Sequence, residues 1–343
     1  MNWPEEKEAR SSSPDKILFY IFNDHPLLLR YSDGHWFPLT HLLMKAQLLL
    51  SLLFILAGPQ FGSPSFADDE LQPYFLVTTS PKPMNEVTAD VKEALTAKGF
   101  EVIGEYNPEG KKDMHVIAYT RNDIQTLTLG VKDRGFLASV FKVGLRQTDG
   151  KVTVSMLNPM YIFYAYLRDE ADKHIDGLMK FSEDARQAMK TLGGELAGFG
   201  GSEEIDDLKE YHYMAFMPYF DDAVELNTFS SFREGVAKIR ANLKAGKGKT
   251  IMVYELIREE NQLAMFGVGL LDEEKGEQRF LPVIGEDHLA AMPYEIILTG
   301  TEASMLHGKF RFALHWPELS MGQFMKISST PGDVEDMLKA LTE

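Results

Sequence analysis

The sequence predicts an α+β fold made of two tandem, similar α/β sandwich domains with mostly antiparallel sheets. Three observations lead to this prediction. Strand-like and helix-like periodicities alternate from residue 72 onward, and hairpin turn signals separate several strand pairs. One order of elements, β-α-β-β-α-β-β-α, can also be read twice along the chain.

The first copy of this order covers residues 72–192. Its clearest element is a helix over 84–98, in which Val87, Val91 and Leu95 share one face. An Asp-Gly dipeptide between two strand-like runs indicates a hairpin. The other expected elements are strands over 72–79, 100–106, 114–120, 142–147 and 151–156, a helix within 123–140 and a helix over 172–192.

The second copy follows a glycine-rich and acidic segment over 193–207. We therefore expect a domain over 68–195, a linker over 196–210 and a second, diverged domain over 211–343. The expected elements of the second domain are strands over 211–220, 250–257, 263–271, 294–299 and 309–314, and helices over 230–244 and 332–341.

Residue matches between the two copies favour an internal repeat. Residues 150–159 align without a gap on 308–317 and share Gly, Lys and Pro. Two shorter matches place Leu-Ala at 137–138 on 289–290, and Met-Lys at 179–180 on 325–326. Short apolar patterns also recur by chance, which is the alternative to duplication.

A family resemblance rests on the first copy. Its helix has the form Val-x-x-x-Val-Lys-x-x-Leu and ends in Lys98-Gly99-Phe100, and a hairpin runs from Asp149 to Pro159. In these features residues 72–192 resemble the DUF302 (TT1751-like) family of small α/β domains. The resemblance extends to residues 211–343 only because these residues align with the first copy. The resemblance implies a fold and supplies no catalytic residues.

The region before residue 68 has the features of an export signal. Met44 and Lys45 precede an apolar run over 48–58, and Ser65-Phe66-Ala67 offers small residues at a cleavage site. We expect a signal peptide over 44–67, a mis-assigned N-terminal extension over 1–43, and a periplasmic or secreted protein. A signal anchor and a short cytoplasmic tail are the alternatives.

The net charge and the lack of cysteine exclude some classes of partner and site. The 343 residues carry 35 basic and 51 acidic side chains, a formal net charge of −16, which disfavours nucleic acid and an anionic membrane surface. We expect no stable membrane insertion after signal cleavage. There is no cysteine, so disulfides and thiolate metal sites are excluded.

One segment departs from this acidic background. If residues 305–316 form a strand, His307, Lys309, Arg311 and His315 share one face and an aromatic set lies on the other. This pattern predicts a pocket for a small anion or carboxylate, and an ordinary solvated strand face is the alternative.

The same region contains candidate metal ligands. Glu286 and His288, together with His315, could supply a carboxylate and two imidazoles to a divalent ion. Their spacing over about 30 residues matches no established metal motif.

No catalytic motif, such as a nucleophile elbow or a dinucleotide fingerprint, occurs in the sequence. The sequence therefore favours a non-enzymatic binding or scaffold module with no identifiable cofactor. A periplasmic protein that binds a small anion or a metal is the second hypothesis, and a hydrolase-like enzyme is the third. A protein partner also remains open, as does the oligomeric state.

Overall fold

The structure, a computed structural model, describes residues 28–30, 36–38 and 70–343. The chain divides into two units, Met1–Ala67 and Asp68–Glu343. In the first unit, Leu28–Arg30 pairs antiparallel with Trp36–Pro38. The predicted signal peptide lies outside the described residues, as does most of the predicted N-terminal extension.

The second unit has an α+β fold, and every strand pair described in it is antiparallel. Its first half forms a sheet with the strand order β2-β3-β4-β5-β1-β6. The strands are Tyr74–Ser80 (β1), Glu101–Tyr106 (β2), Met114–Thr120 (β3), Phe141–Thr148 (β4), Lys151–Leu157 (β5) and Ala197–Phe199 (β6). Apart from a single helical turn over Glu170–Lys173, the α-helices of this half are Met84–Ala97 (α1), Asn122–Leu129 (α2), Pro159–Leu167 (α3) and Ile175–Lys190 (α4).

The second half repeats this arrangement with five strands in the order β8-β9-β10-β11-β7. The strands are Val224–Thr228 (β7), Thr250–Arg258 (β8), Leu263–Leu270 (β9), Tyr294–Thr299 (β10) and Glu302–Met305 (β11). A short helix, Ile205–Lys209 (α5), precedes this half. Its own helices are Phe232–Lys244 (α6), Glu277–Ile284 (α7), Gly308–His315 (α8), Met321–Lys326 (α9) and Thr330–Ala340 (α10).

The two halves share both element order and strand order, apart from the additional edge strand β6. Strands β5 and β11 both lead through the tripeptide Ser-Met-Leu, at 155–157 and 304–306, into a helix. Asn158 and His307 follow these tripeptides and cap helices α3 and α8. The structural match therefore pairs Asn158 with His307.

This match corrects the predicted alignment of residues 150–159 with 308–317. That alignment placed strand β5 on helix α8 because both segments alternate apolar and polar residues. The pairing of Leu-Ala at 137–138 with 289–290 does fall on equivalent turns.

Two further predictions require correction or refinement. The strand predicted over 211–220 is wrong, because this apolar segment is an irregular loop without a partner strand. The predicted linker over 196–210 contains β6 and α5, and Leu208 within it is fully buried. This segment is therefore packed against the rest of the unit and is not an exposed linker.

The halves contact each other closely, and their buried apolar residues belong to one hydrophobic cluster. A Cβ atom added to Gly104 on β2 would lie 2.0 Å from the carbonyl oxygen of Val253 on β8. One added to Gly144 on β4 would lie 2.7 Å from the Cβ of Leu289. Glycine is therefore required where the two backbones approach each other.

Candidate functional site

The four basic residues predicted to share a strand face lie on a helix instead. The strand predicted over 309–314 is wrong, since α8 covers this segment. The alternation of basic and apolar residues did not indicate a strand, because α8 is buried on most of its sides. Lys309 is exposed, whereas Phe310, Arg311 and Phe312 are all buried. Charge alternation thus does not mark a solvent-facing side here.

The helix separates the four basic side chains. His307 is the N-cap, and its Nδ1 accepts a hydrogen bond from the backbone N–H of Lys309 at 3.1 Å. Burial, aided by the charge of Lys309, lowers the pKa of His307, which favours this accepting, neutral form. Arg311 and His315 are four residues apart, share a face and point into the protein.

Arg311 is a buried cation, with only 2% of its surface exposed. Its guanidinium carbon lies 3.7 Å from the ring centroid of Tyr294, a cation–π contact. Nη2 donates to the carbonyl oxygens of Ala291 and Pro293 and lies 3.7 Å from Oε2 of Glu295. Nε and Nη1 are buried and have no hydrogen-bond partner among the residues that the structure describes.

Glu295 also pairs with a second cation, Lys142, through its Oε1 atom. Lys142 lies on β4 of the first half and Glu295 on β10 of the second, and both are less than one tenth exposed. Burial lowers the pKa of Lys142, although the carboxylate of Glu295 opposes this shift. One carboxylate thus serves two buried cations, one from each half.

Strand register shows that Lys142 and Glu295 occupy equivalent positions. Gly144 lies opposite Ser155 in the first sheet, and Ile297 lies opposite Ser304 in the second. The two serines match, so the residues two positions earlier, Lys142 and Glu295, match as well. A residue that contacts its own counterpart lies on a two-fold axis, so this ion pair marks the pseudo-two-fold axis between the halves.

His315 is held in its neutral form beside these charges. Burial lowers its pKa well below the usual value, and the charges of Arg311 and Lys142 add to the effect. Its Nε2 lies 3.1 Å from the hydroxyl of Tyr166, while Nδ1 is buried without a partner. If the Tyr166 hydroxyl donates to Nε2, Nδ1 carries the proton and is a free donor.

Several other polar atoms around Arg311 also lack partners. Tyr254 lies near Glu295, but its hydroxyl makes no hydrogen bond of good geometry. The hydroxyl of Tyr294 also makes no hydrogen bond of good geometry, and burial raises the pKa of this side chain to about 12 although the adjacent guanidinium of Arg311 opposes the shift. Both hydroxyls can donate a hydrogen bond to an anion.

A second buried carboxylate, Glu277, lies nearby in the same interface. Its Oε1 accepts from the Tyr106 hydroxyl at 2.7 Å and from the Leu270 amide at 3.1 Å, and its Oε2 accepts from the Glu109 amide at 3.0 Å. Burial raises the pKa of Glu277 to about 7, against the lowering effect of these donors. Both oxygens are therefore already occupied by groups of the protein.

The structure does not bring the predicted metal ligands Glu286, His288 and His315 into one set. Glu286 pairs with Arg146, and His288 lies between the Gly285 carbonyl and Glu318. His315 faces Tyr166. Within the described residues, no group of three or more His, Asp or Glu side chains could hold a metal ion.

Sequence reasoning identified Arg311 and His315 but missed Lys142, Glu295 and the tyrosines. A signal was present, because Lys142 and Glu295 each interrupt an apolar strand run, where charged residues are rare unless paired. Nothing in the local pattern shows that these two residues pair with each other.

Comparison of the chain with protein-family models, curated proteins and solved structures finds no match. The resemblance of residues 72–192 to the DUF302 family therefore stays a prediction. None of the helices in the described part of the chain combines the length and apolar character that a membrane crossing needs.

Proposed function

We propose that this chain is a non-enzymatic binding protein that holds a small anion between its two halves, at Arg311. The observation that carries the proposal is the guanidinium of Arg311, which is buried while its Nε and Nη1 atoms have no acceptor in the described part of the chain. In keeping with the expected signal peptide, we propose that the protein acts after export, in the periplasm or outside the cell.

The charges around Arg311 favour an anionic ligand. Arg311 keeps its positive charge at any physiological pH, and Glu295 is shared with Lys142. A buried charge without compensation costs several kcal/mol, about 3 to 5 when a partner is removed. An anion beside Nε and Nη1 would supply the missing negative charge.

The surrounding groups would complete the shell of such an anion. The hydroxyls of Tyr254 and Tyr294 are unpartnered donors among the described residues, and the neutral ring of His315 can add a third. Hydrogen bonds from a charged donor such as Arg311 are roughly twice as strong as neutral ones. Because these groups are buried, the ligand class is a small carboxylate or an inorganic oxyanion.

Binding is favoured over catalysis by the state of Glu277. A pKa of about 7 would suit a general base, but both carboxylate oxygens already accept hydrogen bonds from Tyr106, Leu270 and Glu109. Each carboxylate oxygen thus already accepts at least one hydrogen bond from the protein. The role of Glu277 in the interface is structural.

Thermal unfolding of the full chain with added anions tests the proposal. Acetate, phosphate, sulfate and chloride are compared at equal ionic strength. At about 100 times its dissociation constant, a bound anion stabilises the folded state by about 2.7 kcal/mol. We expect at least one anion to raise the melting temperature of the wild type, and Arg311→Ile to remove that increase.

Two matched tyrosine variants separate binding from general stability. Tyr254→Phe and Tyr119→Phe each remove a buried, unpartnered hydroxyl, but Tyr119 lies in the first-half core against Phe100 and Phe141. We expect Tyr254→Phe to weaken the anion effect and Tyr119→Phe to leave it unchanged. Equal shifts in the wild type and Arg311→Ile would refute the proposal, as would no shift with any of the four anions.

A further inference from the structure

The loop that joins the two halves exposes large apolar side chains. Tyr213, Met214 and Tyr219 are each nearly half exposed, and Phe216 is completely exposed. Phe216 also has a φ of 70°, a left-handed conformation that costs a non-glycine residue about 1 to 2 kcal/mol. Exposed apolar groups gathered in this way mark interaction sites in soluble proteins. We call residues 213–219 the aromatic loop.

A groove of about 710 Å³ lies beside this loop. Its wall is rich in carboxylates, which are contributed by Asp169, Glu203, Asp206, Asp207 and Glu210. We call it the acidic groove. Lys209 is the one lysine or arginine among the described residues that line it, and that ammonium group already pairs with Asp172 at 2.8 Å and Asp206 at 3.7 Å.

The acidic groove and the aromatic loop form one continuous surface. Tyr213 belongs to both, and His212, another wall residue, stacks on Tyr219 with 4.0 Å between ring centroids. The Nε2 atom of His212 also lies 2.8 Å from the carbonyl oxygen of Met217, which fixes the loop against the groove. A ligand in the groove would therefore contact the loop as well.

Two observations favour a positively charged ligand in the groove. Tyr211 lines the groove, is 6% exposed, and has a buried hydroxyl without a partner. Burial, together with the charges of Asp207 and Glu70, raises the pKa of Glu203, so the carboxylates there repel one another. A donor that is also a cation would satisfy both groups.

We propose that the acidic groove and the aromatic loop together bind a basic segment of a partner protein, one with lysine or arginine next to an apolar side chain. The acidic wall attracts the cationic groups, and Phe216 and Met214 cover the apolar one. The same carboxylates would repel an anionic membrane. A divalent ion alone lacks a ligand set among the described residues.

The test uses a lysine-rich peptide containing two tryptophans as the probe. Two further peptides replace lysine by glutamate or tryptophan by serine. Binding to the full chain is measured by fluorescence anisotropy at low and high salt. We expect only the lysine–tryptophan peptide to bind well, with an affinity that falls as salt screens the charges.

Variants of exposed residues locate the binding. We expect Phe216→Ser and the triple variant Asp206→Asn, Asp207→Asn, Glu210→Gln each to weaken binding at least about tenfold, or about 1.4 kcal/mol. The control for the triple variant removes three exposed acids elsewhere, Glu101→Gln, Glu273→Gln and Glu274→Gln. Met252→Ser, at an exposed apolar residue of β8, is the control for Phe216→Ser. Both controls should bind like the wild type.

Four results would overturn the proposal. The first is no binding of the lysine–tryptophan peptide at about 1 mM, a concentration that detects even weak complexes. The second is equal loss of binding in the control variants. The third is self-association of the chain that the triple variant abolishes, which would make a second copy the occupant. The fourth is binding to phosphatidylserine vesicles that depends on Phe216 and is strengthened in the triple variant, which would make a membrane the target.

Discussion

Helix α3 of the first half and helix α8 of the second occupy equivalent places but bury different side chains. Counted from the matched caps Asn158 and His307, Ile162 corresponds to Arg311, and each is 2% exposed. The first half shows that an apolar side chain serves this position in the fold. A buried cation at the same position of the second half is therefore better explained by binding than by packing.

The ion pair on the pseudo-two-fold axis allows the strongest test of this comparison. Lys142→Met removes the closest cation of Glu295 and leaves the longer contact to Arg311, so we expect the free energy of unfolding to fall by about 3 kcal/mol. The triple variant Lys142→Met, Glu295→Leu, Arg311→Ile removes all three charges of this buried cluster. This triple variant should return to within about 1 kcal/mol of the wild type.

Denaturant unfolding at low anion concentration measures both variants. If the single and triple variants lose the same stability, the charges themselves hold the halves together, and the comparison with Ile162 fails. Recovery in the triple variant would show that apolar packing suffices for the second half as it does for the first.

The hydrogen bond from Tyr106 of the first half to Glu277 of the second lies at a carboxylate that predicts a pH dependence of stability. Its expected size is similar to the effect of Lys142→Met. The pKa of Glu277 is raised from 4.5 to about 7 in the folded state, so the folded protein binds this proton more tightly than the unfolded chain does. Its stabilising contribution is full below pH 4.5 and is lost as the pH rises to about 7. The loss amounts to about 3 kcal/mol.

Glu277→Gln cannot titrate, so its stability relative to the wild type should improve by about 3 kcal/mol between pH 4.5 and pH 8. Parallel stability profiles for the two proteins over that range would show that Glu277 has an ordinary pKa. The measurement is chemical denaturation at several pH values.

The matched helix caps give the smallest expected effect. Asn158 accepts from the Met160 amide and donates to the Gln72 carbonyl, whereas His307 accepts only from the Lys309 amide. We expect Asn158→Ala to cost about 1 to 2 kcal/mol and His307→Ala about 0.5 to 1 kcal/mol. Thermal denaturation of both variants checks the order, and a larger loss for His307→Ala would contradict it.

The amphipathic elements of the fold could be predicted from the sequence. Strand β3 was predicted over 114–120, the bounds that the structure shows, because its apolar run is clear and its turns are well marked. Helices α3 and α8 could not be predicted from the sequence. Both are buried on most sides, so their sequences lack the alternation of apolar and polar residues that marks an amphipathic helix. The repeated order of elements agrees with the shared strand order of the two sheets, although the residue alignment was displaced around α8.

The candidate site was predictable only in part. Arg311 and His315 stood out as basic residues in an acidic chain, but the partner of Arg311 is Glu295, and the partner of Glu295 is Lys142 on the other half. That contact depends on the register of four strands and on how the two sheets face each other. Local periodicity contains neither kind of information.

Calorimetric titration of the wild type and of Arg311→Ile with the most stabilising anion tests whether Arg311 holds the anion. The variant gives the second half the side chain found at the matching position of the first, and Ile162 shows that the fold accepts it there. We predict that the wild type binds the anion at one site and that the variant binds it at least about 100-fold more weakly, a loss of about 2.7 kcal/mol. An affinity of the folded variant within about threefold of the wild-type affinity would contradict the proposal that Arg311 holds the anion.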